Sequence, residues 1–223
     1  MTIMRERYSA VLWDMDGTLI DSEPLHFQSM VHALSSLGAP VDEGLQAKTT
    51  GLSESEVLDF CRRSLGIIVS DETWAELRHS YYLARSTSLQ ARRGALPTFV
   101  RLAQRGIPQA VVSNSARLIV DANLQALSFG AAEILNIPSI SRNEVRMAKP
   151  HPEPYLLAAA MLALPPAECL VIEDSFAGVL SGVAAGTRVL FWPESTPEAL
   201  PQGSVTYVDA ASDLESQLRV LLY

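Results

Sequence analysis

Short apolar runs rich in strand formers recur along the chain at residues 8–13, 108–112, 137–140, 168–172 and 187–191. Helical spacing of apolar positions accompanies them at 116–127, 153–164 and 175–184. Runs this short, bounded by turns, predict strands buried on both faces, and their alternation with helices predicts a parallel sheet covered on both sides. Between residues 21 and 90 the rhythm changes, because 24–37, 53–65 and 71–89 all carry helical spacing with no strand between them. The second of these helices opens with Ser53 three residues before Glu56, the spacing of a capping box, and the first begins at Pro24, a residue favoured in a first helical turn. The pattern therefore predicts an α/β fold: a doubly wound, Rossmann-like parallel-sheet core from residues 1–20 and 91–223, with an all-helical cap, residues 21–90, inserted after the first strand. The two connections to such a cap can act as a paired hinge.

Composition adds mainly exclusions. With 223 residues, 48% hydrophobic and 19% charged, the chain has ample material for a core and too much apolar content for disorder. Its net charge of −8, with charges of both signs interspersed, gives no footprint for nucleic acid or an anionic membrane. No apolar run is long enough to span a bilayer, and residues 1–8 do not read as a signal peptide. Cys61 and Cys169 stand alone, without zinc-type spacing or a disulfide framework, which points to a reducing cytoplasm.

The first strand ends on Asp14, and Asp14-Met15-Asp16-Gly17-Thr18 follows the run at the carboxyl end, where open α/β sheets bind ligands. Where the strand's pleat persists, Asp14 and Asp16 lie on one side and form a paired-carboxylate site. Gly17 allows a backbone conformation closed to other residues. Later strands end in Ser113-Asn114-Ser115 and Glu173-Asp174-Ser175, and Lys149-Pro150 precedes a helix. Each piece has a plainer reading: Ser113 to Ser115 and Glu173 to Ser175 as helix caps, Lys149 as a solvated loop charge. Gly178, Gly182 and Gly186 read as a small-residue stripe that lets a helix lie close to the sheet, and Trp74, Tyr81 and Tyr82 as cap core.

The string from Asp14 to Ser22, with Val111-Val112-Ser113-Asn114, Lys149-Pro150-His151-Pro152 and Val171-Ile172-Glu173-Asp174-Ser175 in this order, resembles the four signatures of the haloacid dehalogenase-like hydrolase superfamily, in the subgroup bearing a helical cap. The resemblance spans nearly the whole chain. It implies that Asp14 attacks phosphorus to form an aspartyl-phosphate and that Asp16 cycles as acid and base. It also implies a magnesium ion held by Asp14, Asp174 and the Asp16 carbonyl, with Glu173 as a further contributor through water. Lys149, Ser113 and the groups around Asn114 would donate to the phosphate oxygens. In the cap, His26 matches a histidine that relatives often turn toward the active site, with a surface histidine as the alternative. Gly51 matches a cap loop that dips toward substrate, although a glycine between helices needs no such role.

Asp16 argues for phosphate esters, since the dehalogenases of the superfamily lack an acid/base aspartate two positions after the nucleophile. Beta-phosphoglucomutase has both aspartates, but its cap loop reads Lys-Gly-x-x-Arg where this chain has Thr50 and Glu54, so a second phosphate would meet no cation there. The expectation is a magnesium-dependent phosphatase of a small phosphorylated metabolite such as a sugar or polyol phosphate, acting as a monomer. The alternatives are a phosphoryl-transfer mutase and a binding protein that senses a phosphorylated ligand without turnover.

Overall fold

The computed structural model describes residues 8–49, 52–197, 202–209, 214 and 216–218. The chain divides into two compact units, Met1–Asp21 with Leu89–Tyr223, and Ser22–Ser88.

The first unit is built on parallel strands β1 (Ala10–Asp14), β2 (Gln109–Val112), β3 (Ser139–Ile140), β4 (Cys169–Glu173), β5 (Arg188–Phe191) and β6 (Val205–Tyr207), ordered β3-β2-β1-β4-β5-β6. The fold is the doubly wound α/β class. From β1 the chain builds outward through β2 to β3, then crosses to β4 on the other side and builds outward again. The carboxyl ends of β1 and β4 thus flank the topological switch point, where such sheets open a crevice for ligands.

Strand alternation sorts the core into two layers. Val11, Trp13, Val111, Leu170, Ile172 and Leu190 join one cluster, with Phe99 and Leu102 of helix α5 (Ala95–Gln104) and Val120, Leu124 and Leu127 of α6 (Arg117–Ser128), where α1 to α4 are the helices of the second unit. Ala10, Leu12, Ala110, Val112, Val171 and Val189 join the other, with Tyr155 and Ala158 of α7 (Glu153–Met161) and Val179 of α8 (Phe176–Ala184). Helix α7 is shorter than its hydrophobic pattern predicts, because Ala163 takes a left-handed conformation with φ of 56°. The short edge strand β6, half-buried with Thr206 at its centre, has no periodicity to predict it.

The second unit is all helical: α1 (Glu23–Ser36), α2 (Leu45–Thr49), α3 (Glu54–Leu65) and α4 (Asp71–Leu83). Ser53 and Glu56 form the reciprocal capping box expected at the start of α3. Met30, Leu34, Leu45, Leu58, Cys61 and Trp74 make its core. The helix predicted to run to residue 89 stops at Leu83, where the hydroxyls of Ser86 and Ser88 bond the carbonyls of Leu83 and Arg85 and compete with the helical ladder. Among the described residues no helix is long and apolar enough to cross a membrane.

Candidate active site

Asp14 shares its strand face with Leu12, and the alternation that buries Leu12 against α7 and α8 carries the Asp14 carboxylate to the same side. There the Lys149 ammonium donates to Asp14 Oδ1 at 2.6 Å, to Glu173 Oε1 at 2.7 Å and to the Val112 carbonyl at 2.8 Å. Lys149, Asp14 and Glu173 are all buried. The buried hydroxyl of Tyr155 also donates to Glu173 Oε1, at 2.8 Å, while Glu173 Oε2 accepts from the amides of Asp174 and Ser175 and from the Ser175 hydroxyl. Both oxygens of Glu173 are therefore committed within the protein. Ser175 additionally caps α8 by accepting from the Gly178 amide at 3.1 Å, so its plainer reading and its place in the site both hold.

The charges in this cluster do not balance. Carboxylate oxygens of Asp14, Glu173 and Asp174 lie within 4.8 Å of one another, against the single ammonium of Lys149. Burial, then the charge of Glu173, pushes the Asp14 carboxyl well above its ordinary range, against the pull of Lys149. Burial would lower Lys149, but Asp14 and Glu173 outweigh it and hold the ammonium protonated. Asp14 Oδ2 is fully covered and has no hydrogen-bond partner among the described residues. A bare buried carboxylate oxygen in an acidic, oxygen-only cluster fits a hard divalent cation such as magnesium.

Asp16 is held from the other side of the sheet. The strand ends at Asp14, and the turn after it, closed by Thr18 N–H to Met15 O and by a φ of 81° at Gly17, breaks the pleat that would have aligned the two carboxylates. Asp16 Oδ2 accepts from the hydroxyls of Ser113 and Ser115, both at 2.9 Å, and Oδ1 from Asn123 on α6 at 3.0 Å. The paired carboxylates thus have different partners, Lys149 for one and neutral donors for the other. Asp174 lies against the same turn: Thr18 Oγ1 donates to its Oδ1 at 3.2 Å, and a Cβ on Gly17 would collide with Oδ2.

Asn114 clamps the main chain of Lys149, donating to its carbonyl at 3.1 Å and accepting from its amide at 3.0 Å. The stretch before Lys149 supports that loop. Glu153 accepts from the amides of Arg146 and Met147, Asn143 Oδ1 accepts the Arg117 amide at the start of α6, and Glu144 pairs with Arg117 at 2.6 Å. Tyr155, Asn123 and Asn143 carry no local motif. Their roles arise from positions far apart in sequence and were not readable from it.

Of the glycine stripe, Gly182 packs close against Val189 and Val171 of the sheet, while Gly186 lies beyond α8 and Gly178 has a sharper purpose. A Cβ at Gly178 would fall on the Glu173 carboxylate, which five hydrogen bonds prevent from swinging aside. Gly178→Ala is expected to cost about 2 kcal/mol of stability, a fall of roughly 4 to 8 °C in Tm by thermal melt, despite the better helix propensity of alanine.

Within the cap unit, the His26 ring lies on that of Tyr82 with centroids 4.6 Å apart, and Tyr81 packs with His32. Thr50 and Gly51 lie outside the described residues. Glu54 has a cationic partner within the cap unit: Arg78 is buried and donates to it at 3.3 Å, with His79 Nε2 at 3.5 Å from the same oxygen. The cation comes from 24 positions along the chain, on α4, and so escapes any reading of the local motif. Although burial works against it, His79 and Arg78 hold the Glu54 carboxyl below its usual range.

The family model for haloacid dehalogenase-like hydrolases matches residues 8–186, from β1 through the end of α8. The chain belongs to this family. Within the haloacid dehalogenase-like hydrolases it is 32% identical over 195 residues to hexitol phosphatase A of Escherichia coli (strain K12), covering 82% of each chain. It is 34% identical over 196 residues to protein CbbY of Rhodobacter capsulatus, covering 82% of this chain and 85% of that one. Among solved structures, CbbY from Rhodobacter sphaeroides in complex with phosphate superposes with a TM-score of 0.72 at 25% identity, covering 83% of this chain and 86% of that one.

Proposed function

We propose that this chain is a magnesium-dependent phosphatase that hydrolyses small phosphorylated metabolites, sugar or polyol phosphates, through an aspartyl-phosphate on Asp14. It is a phosphoric monoester hydrolase. The observation that carries the reading is the buried Asp14 carboxylate, with one oxygen on Lys149 and the other bare, in a cluster one cation short of balance. A generic turn or a structural ion pair would leave no such deficit.

In the first step an Asp14 carboxylate oxygen bonds to phosphorus as the ester oxygen leaves, and Asp16 gives that oxygen its proton. In the second, Asp16 takes a proton from water, whose oxygen bonds to phosphorus and releases Asp14. Three neutral donors on Asp16 hold its carboxylate in one place between these transfers. Lys149 sets its positive charge beside the phosphoryl oxygens and nearby amides donate to them, while the Ser113 hydroxyl, whose one proton goes to Asp16, acts through that carboxylate. Magnesium would be held by the carboxylates of Asp14 and Asp174 and the Asp16 carbonyl, and when bound supplies Lewis-acid charge neutralisation at the phosphoryl group. Glu173, with both oxygens taken, stands behind that set and orients Lys149 and the Asp174 backbone.

By the resemblance, His26 and Gly51 of residues 21–90 are the candidate determinants of the leaving group. The hexitol phosphatase relative supports the substrate class. We place the enzyme in the cytoplasm as a monomer. Purified chain with magnesium is expected to release inorganic phosphate from members of a panel of sugar phosphates, polyol phosphates, phosphoglycolate and nucleotides, and chelation by EDTA to abolish it. Saturable ligand binding without phosphate release across the whole panel would refute the reading, as would interconversion of hexose 1- and 6-phosphates with little free phosphate.

A further inference from the structure

Arg92 stands where the chain re-enters the first unit. Its backbone is fixed by antiparallel contact with the segment after β1: Ile20 bridges Ala91, the Asp21 amide donates to Gln90 O, and the Arg92 amide donates to Leu19 O at 3.0 Å. From there the side chain reaches back over the site. Its Nη1 donates to the Gly17 carbonyl at 2.8 Å and to the Trp192 carbonyl at 2.6 Å, and Nη2 to the Pro193 carbonyl at 3.0 Å. The guanidinium also lies 3.8 Å from the centroid of the Trp192 ring. Three carbonyls and an aromatic face make a seat shaped for a planar fork, which a lysine would fill with fewer bonds.

What the seat joins gives it meaning. Gly17 lies between the acid/base Asp16 and Thr18, and its α-carbon face and the Thr18 hydroxyl are the surfaces against which the Asp174 carboxylate rests. Trp192 follows β5, and its amide donates at 2.6 Å to the carbonyl of Glu173, the residue before Asp174. Arg92 thus ties the loop after β1 directly to the end of β5, which in turn bonds the end of β4 beside Asp174, at a point outside the set of ligands itself. It belongs to none of the four signatures.

We infer that Arg92 is a positioning residue of the metal centre: by gripping the Gly17 carbonyl and the end of β5 together, it sets the separation of Asp14 and the Asp16 carbonyl from Asp174. The inference rests on the magnesium reading above. Mutation of outer-shell partners commonly weakens metal binding by about 10- to 100-fold, and that range is expected for magnesium with Arg92→Met. Arg92→Lys keeps the charge but not the fork, and should recover only part of the affinity.

The test is calorimetric titration of magnesium chloride into the full wild-type chain and both variants, with thermal melts and ester kinetics alongside. Weaker magnesium binding in folded Arg92→Met, with kcat reduced and KM for the ester little changed, supports the inference. A folded Arg92→Met that binds magnesium as the wild type does would show the clamp to be merely structural, even if its Tm falls. Should Arg92→Met not fold, Arg92→Lys decides in the same way. If the wild type binds magnesium but cleaves no ester, the phosphatase reading fails while the loss of affinity still supports the clamp. If the wild type binds no magnesium, both fail.

Discussion

Asp14→Asn should abolish phosphate release while leaving the protein at least as stable as the wild type in EDTA. Loss of a covalent nucleophile costs on the order of 10⁴- to 10⁶-fold in turnover, or about 5 to 8 kcal/mol of barrier. The amide still offers an oxygen to Lys149, so the main contact in the cluster has a successor. Its effect on stability follows from the charge imbalance. The folded-state pKa of Asp14 lies above its unfolded value, chiefly through burial and then the charge of Glu173. Such an acid favours the folded state most when protonated, and that advantage is lost as pH rises from the unfolded value through the folded one. At neutral pH Asp14 is therefore a liability in metal-free protein, and asparagine removes it. Magnesium reverses the ranking: ligand at 100 times its dissociation constant stabilises the wild type by about 2.7 kcal/mol, and the variant, short of one carboxylate, by less. Thermal melts of both proteins in EDTA and in magnesium, with a phosphate-release assay, check all of this. Undiminished turnover in Asp14→Asn would remove it as nucleophile.

Much of this site was legible in the chain because each of its four pieces is local. An apolar run ending in Asp14, a serine closing the run at Val112 and the pair Glu173-Asp174 are short strings at strand ends, and the lysine before proline is a short string in the loop before α7. The parallel topology then brings those ends together. What escaped is what the topology creates. Tyr155 reads as one more apolar position of α7, yet its hydroxyl meets Glu173. Asn123 sits inside a helix that its neighbours Val120, Leu124 and Leu127 define, and only the packing of α6 on the sheet aims it at Asp16. Asn114 has the composition of a phosphate donor, while its fixed partners are the backbone groups of Lys149. In the cap, the motif comparison weighed Thr50 and Glu54 by their own charges, and the decisive neighbour of Glu54 proved to be Arg78 on another helix. Hydrophobic periodicity reports which face is buried, and says nothing of a polar atom at the end of a buried side chain.

Lys149→Met should also lose most of its activity but move stability in the opposite direction to Asp14→Asn. Among the described residues the ammonium is the only cation bonded to Asp14 and Glu173, and all three of its donors are used. Removing one member of a buried ion pair costs about 3 to 5 kcal/mol, because the partner charges remain buried and unpaired. For a chain of this size that is a Tm fall on the order of 10 °C. The folded-state pKa of Lys149 lies above 10.5, so its contribution is fully present below that pH and is lost as pH rises through the folded value. In the variant Asp14 loses the charge that pulled its pKa down and favours protonation more strongly. Its deficit should therefore be largest near pH 8 and shrink toward pH 5, whereas a simple loss of packing would change little over that interval. Turnover should fall by at least about 10²- to 10³-fold, the cost of removing one preorganised charge from beside the transition state, even with magnesium saturating. Together the two variants test one statement: the cluster holds more negative charge than its one ammonium offsets, and that positive charge cannot be lost. A Lys149→Met protein with a pH-independent loss of stability would place the ammonium's role in packing instead of charge.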